Sequence, residues 1–572
     1  MRFARGSYVA GALKLLSLSR LAFGFSLSPK PKAHFRAERE PTSEPLSGRG
    51  FRPVDFAWRE WPPGNQSGFA QESDYNPRMQ KLTFPDALID ESLDPQDWEM
   101  FRRLAHAVLD ESIDYIRDVR QRAVWQPVPE TVKRDLGEPL PVEPQGLNKT
   151  YQDAQTLVLP YPTGNIHPRF WGWVHGTGLA SGLITEMLAA AMNSNCGGRD
   201  HGALYVERQV IEWCREIVGY PKTASGLLVS GTSMATVIGL AVARNAGAGC
   251  DVRAQGLRCA PKNLVAYASS EAHGSVGKAL ELLGLGRESL RIVPVDEKFA
   301  IKPGELRQSI LDDRQKGLAP FCVIGSAGTV NTGAIDDLTA LSKICQAEKL
   351  WFHVDGAFGA ACALSDMLRP LIVGIECSDS ISFDFHKWLY VQYDAGCILV
   401  RDGSLQKKTF ATRPEYLQHL DRGLAGGGEW FNDLGPELSR SFRALKIWFA
   451  LKEHGTKRFG KMIEKNYRQA RYLAELIERT PRLQLLLQPT LNVVCFRYRA
   501  DELGAKDRDQ LNLDIVADLQ EHGIAVPSTT RIGEQLAIRV AITNHRSRRE
   551  DFDRLVHSVI QIGDERLESR LA

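Results

Sequence analysis

Between about residues 200 and 400 the sequence switches repeatedly between two hydrophobic periods. Helical spacing in "YVERQVIEWCREIVG" gives way to the apolar run "GLLVS", and a helix over 234–245 precedes "NLVAYAS". "GSVGKALELLGL" precedes "RIVPV", "PGELRQSILDDRQ" precedes "PFCVIGS", and "DDLTALSKICQAE" precedes "LWFHVD". Strands that alternate with helices in this way build βαβ units, so the fold class expected is α/β, with a large, mostly parallel sheet wrapped by helices. Runs such as "FCVIGS" show no polar alternation, as a strand covered on both faces requires.

From about residue 451 the pattern changes. Helix "FGKMIEKNYRQARYLAELIER", strand "NVVCFRYR", helix "LDIVADLQEHG", strand "QLAIRVAI" and helix "REDFDRLVHSVIQ" predict a smaller C-terminal α+β domain. Upstream, "FRRLAHAVLDESIDYIRDVRQR" has helical spacing and is ended by the Pro-rich "WQPVPETVKRDLGEPLPVEPQG". A chain of 572 residues is expected to hold two or three domains.

In an open parallel sheet, ligands bind beyond the carboxyl ends of the strands. The polar segments fall there: "SGTS", "SSEAH", "GSAGT", "HVDGAF" and "SISFDFHK" each end an apolar run. "SGTSMAT", residues 230–236, sets Thr232, Ser233 and unpaired amides at a helix N-terminus, which favours an anion. It lacks the lysine of a P-loop and the G-x-G-x-x-G spacing of a dinucleotide site, and such junctions use Ser, Thr and Gly for turn chemistry anyway. Asp355 ends an apolar strand, where a buried carboxylate needs a cation or a capping role. His273 is either a helix-flanking core histidine or a flat ring for stacking. Lys387, between His386 and Trp388, is either a surface lysine whose stem lies along apolar neighbours or a buried amine. A phosphate site, an anion for a ring nitrogen, a stacking ring and a lysine together match pyridoxal 5'-phosphate, which needs a lysine for its Schiff base and an acid for its ring nitrogen.

Seven segments, in order, carry a resemblance: "HPRFWGW", "SGTSMATVIGLAVARN", "NLVAYASSEAHGSVGKA", "GSAGTVNTGAIDDL", "WFHVDGAFGAA", "SDSISFDFHKWL" and "LSRSFRALKIWF". The chain resembles the group II pyridoxal-phosphate decarboxylases, which include aromatic-amino-acid, glutamate and histidine decarboxylases, from about 76 to 560. The resemblance implies an aspartate-aminotransferase-like (type I) fold, α-decarboxylation of an L-amino acid, and a homodimer with its sites at the interface. It implies that Lys387 holds the cofactor, Asp355 contacts the pyridine nitrogen and His273 stacks on the ring. Thr232, Ser233 and Ser380 would hold the phosphate, Ala357 would lie under the ring, and Thr329, Asp384 and His386 would line the site. The implied organisation is an N-terminal extension over 1–75, a helical segment packing on the dimer partner over 76–180, a cofactor-binding domain over 181–450 and a small domain over 451–572. Trp171 and Trp173 in "HPRFWGWVHGTG" suit an aromatic substrate; Arg169 and His175 suit an acidic one. Many members of the family carry a loop tyrosine that returns a proton to the substrate; the corresponding position here is Trp430 or Phe431. That change implies either that another group or a water supplies the proton or that some substrate is diverted to aldehyde, and aldehyde synthesis or another carbon–carbon lyase activity is the alternative. A non-catalytic binding protein fits poorly with retention of Lys387, Asp355 and His273.

A net charge of +2 gives no reason to expect nucleic acid or an anionic membrane as partner. Residues 223–243 carry no charge, but their centre, "SGTS", is turn chemistry, so a strand and a helix are expected there rather than a membrane span. The ten cysteines show no C-x-x-C pair, so no zinc site is expected, and they read as reduced core thiols of a cytoplasmic protein. Residues 1–37 are basic and free of acid, which leaves organelle targeting open beside a disordered extension.

Overall fold

The computed structural model describes residues 92–412 and 420–572. The expected N-terminal extension lies outside the described residues, as does most of "PEYLQHL". Residues 94–572 form one compact unit containing two sheets.

The larger sheet has seven strands: β1 (Ser225–Val229), β2 (Leu264–Ser269), β3 (Leu290–Val293), β4 (Ala319–Ser326), β5 (Trp351–Asp355), β6 (Ser380–Asp384) and β7 (Gly396–Val400). Their spatial order is β1-β7-β6-β5-β4-β2-β3. Only β7 runs antiparallel to its neighbours, inserted between β1 and β6. Strands β2 and β6 are buried along their whole length, which is why their sequences lack polar alternation. Helices cover both faces, as the alternating pattern predicts. The helices include α1 (Trp98–Arg117), α2 (Gly182–Met192), α3 (Gly202–Val218) and α4 (Thr232–Gly247). The uncharged stretch 223–243 is β1, a turn and the start of α4, and no helix among the described residues is long and apolar enough to cross a membrane.

The second sheet is antiparallel: β8 (Leu483–Leu487), β9 (Val493–Tyr498), β10 (Ser528–Ile532) and β11 (Gln535–Ala541), in the order β10-β11-β9-β8. A long helix, α5 (Ala444–Glu478), runs between the two sheets in sequence and is broken at Gly455, whose φ of 68° is costly for any residue with a Cβ.

Two features bear on the sequence-based expectations. The end of the 76–180 segment packs on this chain's own small domain. Trp171 N–H donates to the Val526 carbonyl at 2.8 Å, Ala541 N–H donates to the Trp171 carbonyl at 2.9 Å, and the Trp171 indole stacks on Phe552. The cysteines are not all reduced thiols. Cys250 and Cys259 are joined in a disulfide, because the connection after α4 folds back and brings their Cα atoms to 5.9 Å. Of the eight free cysteines, Cys377 is exposed and the others are buried.

Candidate active site

The carboxyl ends of β1, β4, β5 and β6 open into a cavity of about 500 Å³. Lys387 reaches it from the β6–β7 connection, which is fixed from behind. Trp388 Nε1–H and Tyr390 O–H both donate to Asn466 Oδ1, at 3.1 and 2.7 Å, from fully buried positions. Phe385 N–H bonds the Ala395 carbonyl at 2.8 Å. The aromatic crowding around the lysine in the sequence is therefore the packing that holds its turn against α5.

Lys387 Nζ lies 2.9 Å from Asp384 Oδ2. Asp384 also accepts the Thr232 N–H at the start of α4, at 2.8 Å through Oδ1. Helix α4 begins at Thr232, earlier than the apolar periodicity places it, so Thr232 and Ser233 occupy its first turn. Thr232 is buried, lines the cavity, and its Oγ1 has no hydrogen-bond partner among the described residues. His386 accepts the Ala395 N–H on Nδ1 at 3.0 Å and turns Nε2 toward Asp384 at 3.7 Å. Burial lowers the His386 pKa, and the Asp384 charge opposes that shift.

Asp355 ends β5 and is buried; its Oδ1 accepts the Ala357 N–H at 3.1 Å. Burial raises its pKa, and the Lys387 charge pulls it back down. His273 also lines the cavity, its ring held by the Ser275 N–H on Nδ1 at 3.2 Å. Thr329 and Ala357 also line the cavity. The structure thus brings together Lys387, Asp355, His273, Thr232, Ser233, Thr329, Ala357, Asp384 and His386.

Ser380 is not with them. It opens β6, whereas Asp384 closes it, and four residues of strand separate the two by about 13 Å. Ser380 Oγ instead accepts the Trp351 indole N–H at 2.8 Å and sits 2.8 Å from His353 Nδ1 inside the protein. Arg169 and Trp171 also point away: Arg169 Nε donates to the Ile524 carbonyl at 2.7 Å, and Trp171 is fully buried under the small sheet. The chain then turns at Trp173, whose φ is 53°, so that Trp173 and His175 face the cavity. The position assigned to the loop tyrosine is likewise inside the protein. Trp430 donates its indole N–H to the Gly426 carbonyl at 3.1 Å with Arg199 over its ring, and Phe431 is buried beside Arg440.

Tyr393 is a site residue that nothing in the sequence marks. It lies in the irregular segment before β7, where no periodicity signals an inward side chain. Its ring centre is 4.3 Å from that of His386, and it lines the cavity. The residue as a whole is half exposed, but burial of the phenol pushes its pKa up to about 12, with the Gly176 backbone N–H drawing it back.

The arrangement fits pyridoxal 5'-phosphate. The unpartnered Thr232 hydroxyl and the α4 amides suit a phosphate, and buried Asp355 suits a protonated ring nitrogen. Known proteins agree. The pyridoxal-dependent decarboxylase conserved domain matches residues 129–499. The chain is 32% identical over 471 residues to an aromatic-L-amino-acid decarboxylase from Bacillus atrophaeus, spanning 82% of this chain and 96% of that protein. It is 29% identical to a phenylacetaldehyde synthase from Petunia hybrida, spanning 73% and 84%. In fold it is similar to Oryza sativa TDC with PLP and tryptamine, at a TM-score of 0.76 and 24% identity over 83% of this chain and 100% of that one. The chain belongs to the pyridoxal-dependent decarboxylases: it is a carboxy-lyase that uses pyridoxal 5'-phosphate to decarboxylate an amino acid.

Proposed function

We propose that the substrate is an aromatic L-amino acid, released as its amine. The observation that carries this reading is the substrate-side wall: Trp173, His175 and Tyr393 present rings to the cavity, and no arginine is among the described lining residues. Aromatic rings favour offset or edge contacts with a flat side chain. An acidic side chain needs a fixed cation, and Arg169 is committed to the Ile524 carbonyl.

Lys387 is the amine placed to carry the cofactor. When bound, the cofactor takes up the electron pair left at Cα as CO2 departs. Asp355 would hold a proton on the ring nitrogen; its burial makes an isolated charge costly, so a cationic partner is favoured. Thr232 Oγ1 and Ser233 would hold the phosphate, and His273 and Ala357 would line the space for the ring. Tyr393 keeps its proton at neutral pH and faces the cavity, so its phenol is placed to return a proton to Cα.

The enzyme works as a homodimer. Helix α1 has no buried residue yet exposes Trp98, Met100 and Phe101, and α2 exposes Ile184, Met187, Leu188 and Met192. Apolar helix faces of this extent are what a second copy covers.

The test is a substrate panel. Tryptophan, tyrosine, phenylalanine, histidine, glutamate and aspartate are offered separately, with CO2 and amine measured for each. A higher kcat/KM for glutamate or aspartate than for every aromatic amino acid would refute the aromatic reading.

A further inference from the structure

Asp384 sits where an anion is expected to bind. Its Oδ1 takes the Thr232 N–H at 2.8 Å, a donor in the first turn of α4, and its Oδ2 pairs with Lys387 at 2.9 Å. The residue is buried, and the partnerless Thr232 hydroxyl lies in the same first turn. A phosphate drawn to these amides meets a carboxylate already bonded to one of them. Two anions sharing one desolvated site disfavour each other, and the cheapest relief is a proton on the stronger base, which is the phosphate dianion rather than the carboxylate.

We propose that Asp384 is an internal competitor for the phosphate end of the cofactor, so that the phosphate binds beside it as the singly protonated monoanion, and that this carboxylate sets cofactor affinity. The inference rests on reading the cavity as the cofactor site. In the bound state the proton comes from solvent and resides on a phosphate oxygen, no bond other than that O–H forms, and the site's net charge falls by one rather than two. Several groups face Asp384. Lys387 and His386 on its own segment favour the carboxylate; Asp355 at the end of β5 opposes it; Tyr393 and Cys397, around the start of β7, lie within electrostatic reach. Comparison with an uncharged residue at 384 isolates the contribution of Asp384 from theirs.

The experiment uses the full-length chain freed of cofactor and two probes that lack an aldehyde, pyridoxine 5'-phosphate and pyridoxine, so that Lys387 chemistry does not enter. Binding is measured calorimetrically in buffers of differing ionisation enthalpy, which counts protons. Asp384→Asn and Asp384→Ala should both tighten pyridoxine 5'-phosphate by about tenfold or more while changing pyridoxine by no more than about twofold. Wild type should take up more protons than either variant with the phosphate ester, and no more with pyridoxine. Equal affinity and equal proton uptake in wild type and variants would overturn the proposal. Tightening by Asn alone would also overturn it, because the gain would then come from a new amide donor rather than from a removed charge. If the phosphate ester binds no better than pyridoxine to any form, the reading of the cavity fails along with the proposal.

Discussion

Gly176 packs directly on the backbone of His386: a Cβ at residue 176 would lie 2.1 Å from the His386 carbonyl oxygen and 2.7 Å from that of Lys387. The segment just beyond the small-sheet contact of Trp171 is thus a floor for the lysine-bearing turn. A carbonyl on a short, pinned connection has nowhere to move.

Gly176→Ala should therefore displace the turn rather than unfold the protein. The expected result is a drop in cofactor affinity of about tenfold or more, with a stability loss of about 1–3 kcal/mol. Cofactor absorbance titrated against a fixed amount of chain reads the first, and chemical denaturation the second. Wild-type affinity in the variant would show that the turn tolerates the added methyl.

Lys387→Ala should abolish turnover and the visible absorption of the bound cofactor while leaving the fold intact. Lys387 makes one side-chain contact of note, with Asp384, whereas Trp388 and Tyr390 hold the turn through Asn466. Normal CO2 release by the variant would sink its assignment as the cofactor lysine.

Asp355→Asn should keep the cofactor and lose activity by about 100-fold or more, because the residues proposed to hold the phosphate lie on α4 and are untouched while the proposed anionic partner of the ring nitrogen is lost. Retained absorbance with lost CO2 release is the expected pair of readings. Unchanged kcat would contradict the role given to Asp355.

The strands and part of the cavity were legible from periodicity, since apolar runs ending in polar residues place Asp355 and Thr232 at one edge of one sheet, whereas Thr329, Ala357, Asp384 and His386 were implied only by the family resemblance. What failed depends on geometry that a linear pattern does not carry. Ser380 shares a motif with Lys387, but an extended strand moves it to the far end. Trp171 and Trp173 look equivalent until the left-handed turn at Trp173 separates them. Cys250 and Cys259 lack a spacing signature, and their bond depends on how one loop folds back. Tyr393 lies in a connection with no period at all.

His353 gives a pH prediction. It is fully buried in β5 between Ser380 Oγ and Ser382 Oγ, with no carboxylate partner among the described residues, and burial drives its pKa from 6.5 down to about 3. The unfolded chain binds this proton near pH 6.5 and the folded chain does not until about pH 3. The imidazole thus costs nothing above pH 6.5 and lowers stability as the pH falls below it, by about 1.4 kcal/mol per pH unit. Denaturant unfolding between pH 6.5 and 5 should show a slope in wild type steeper than in His353→Gln by about one proton. Identical slopes would mean that the folded protein accommodates the charged ring.

The last prediction separates Tyr393 from the two buried aromatics. Trp430 packs against Gly198 and Arg199, and Phe431 beside Arg440, so a hydroxyl added at either position does not reach the cavity. Trp430→Tyr and Phe431→Tyr are therefore expected to leave the product ratio unchanged. Tyr393→Phe removes the one phenol among the described cavity-lining residues. Without that proton source, Cα stays open longer to oxygen, and the amino acid, O2 and water are converted to aldehyde, CO2, ammonia and peroxide. The ratio of peroxide to CO2 in air-saturated buffer should rise by about tenfold or more in Tyr393→Phe, a positioned general acid being typically worth about 100-fold or more. If the ratio rises in the Trp430 or Phe431 variants instead, or amine equals CO2 mole for mole in Tyr393→Phe, the proton reaches Cα from another group.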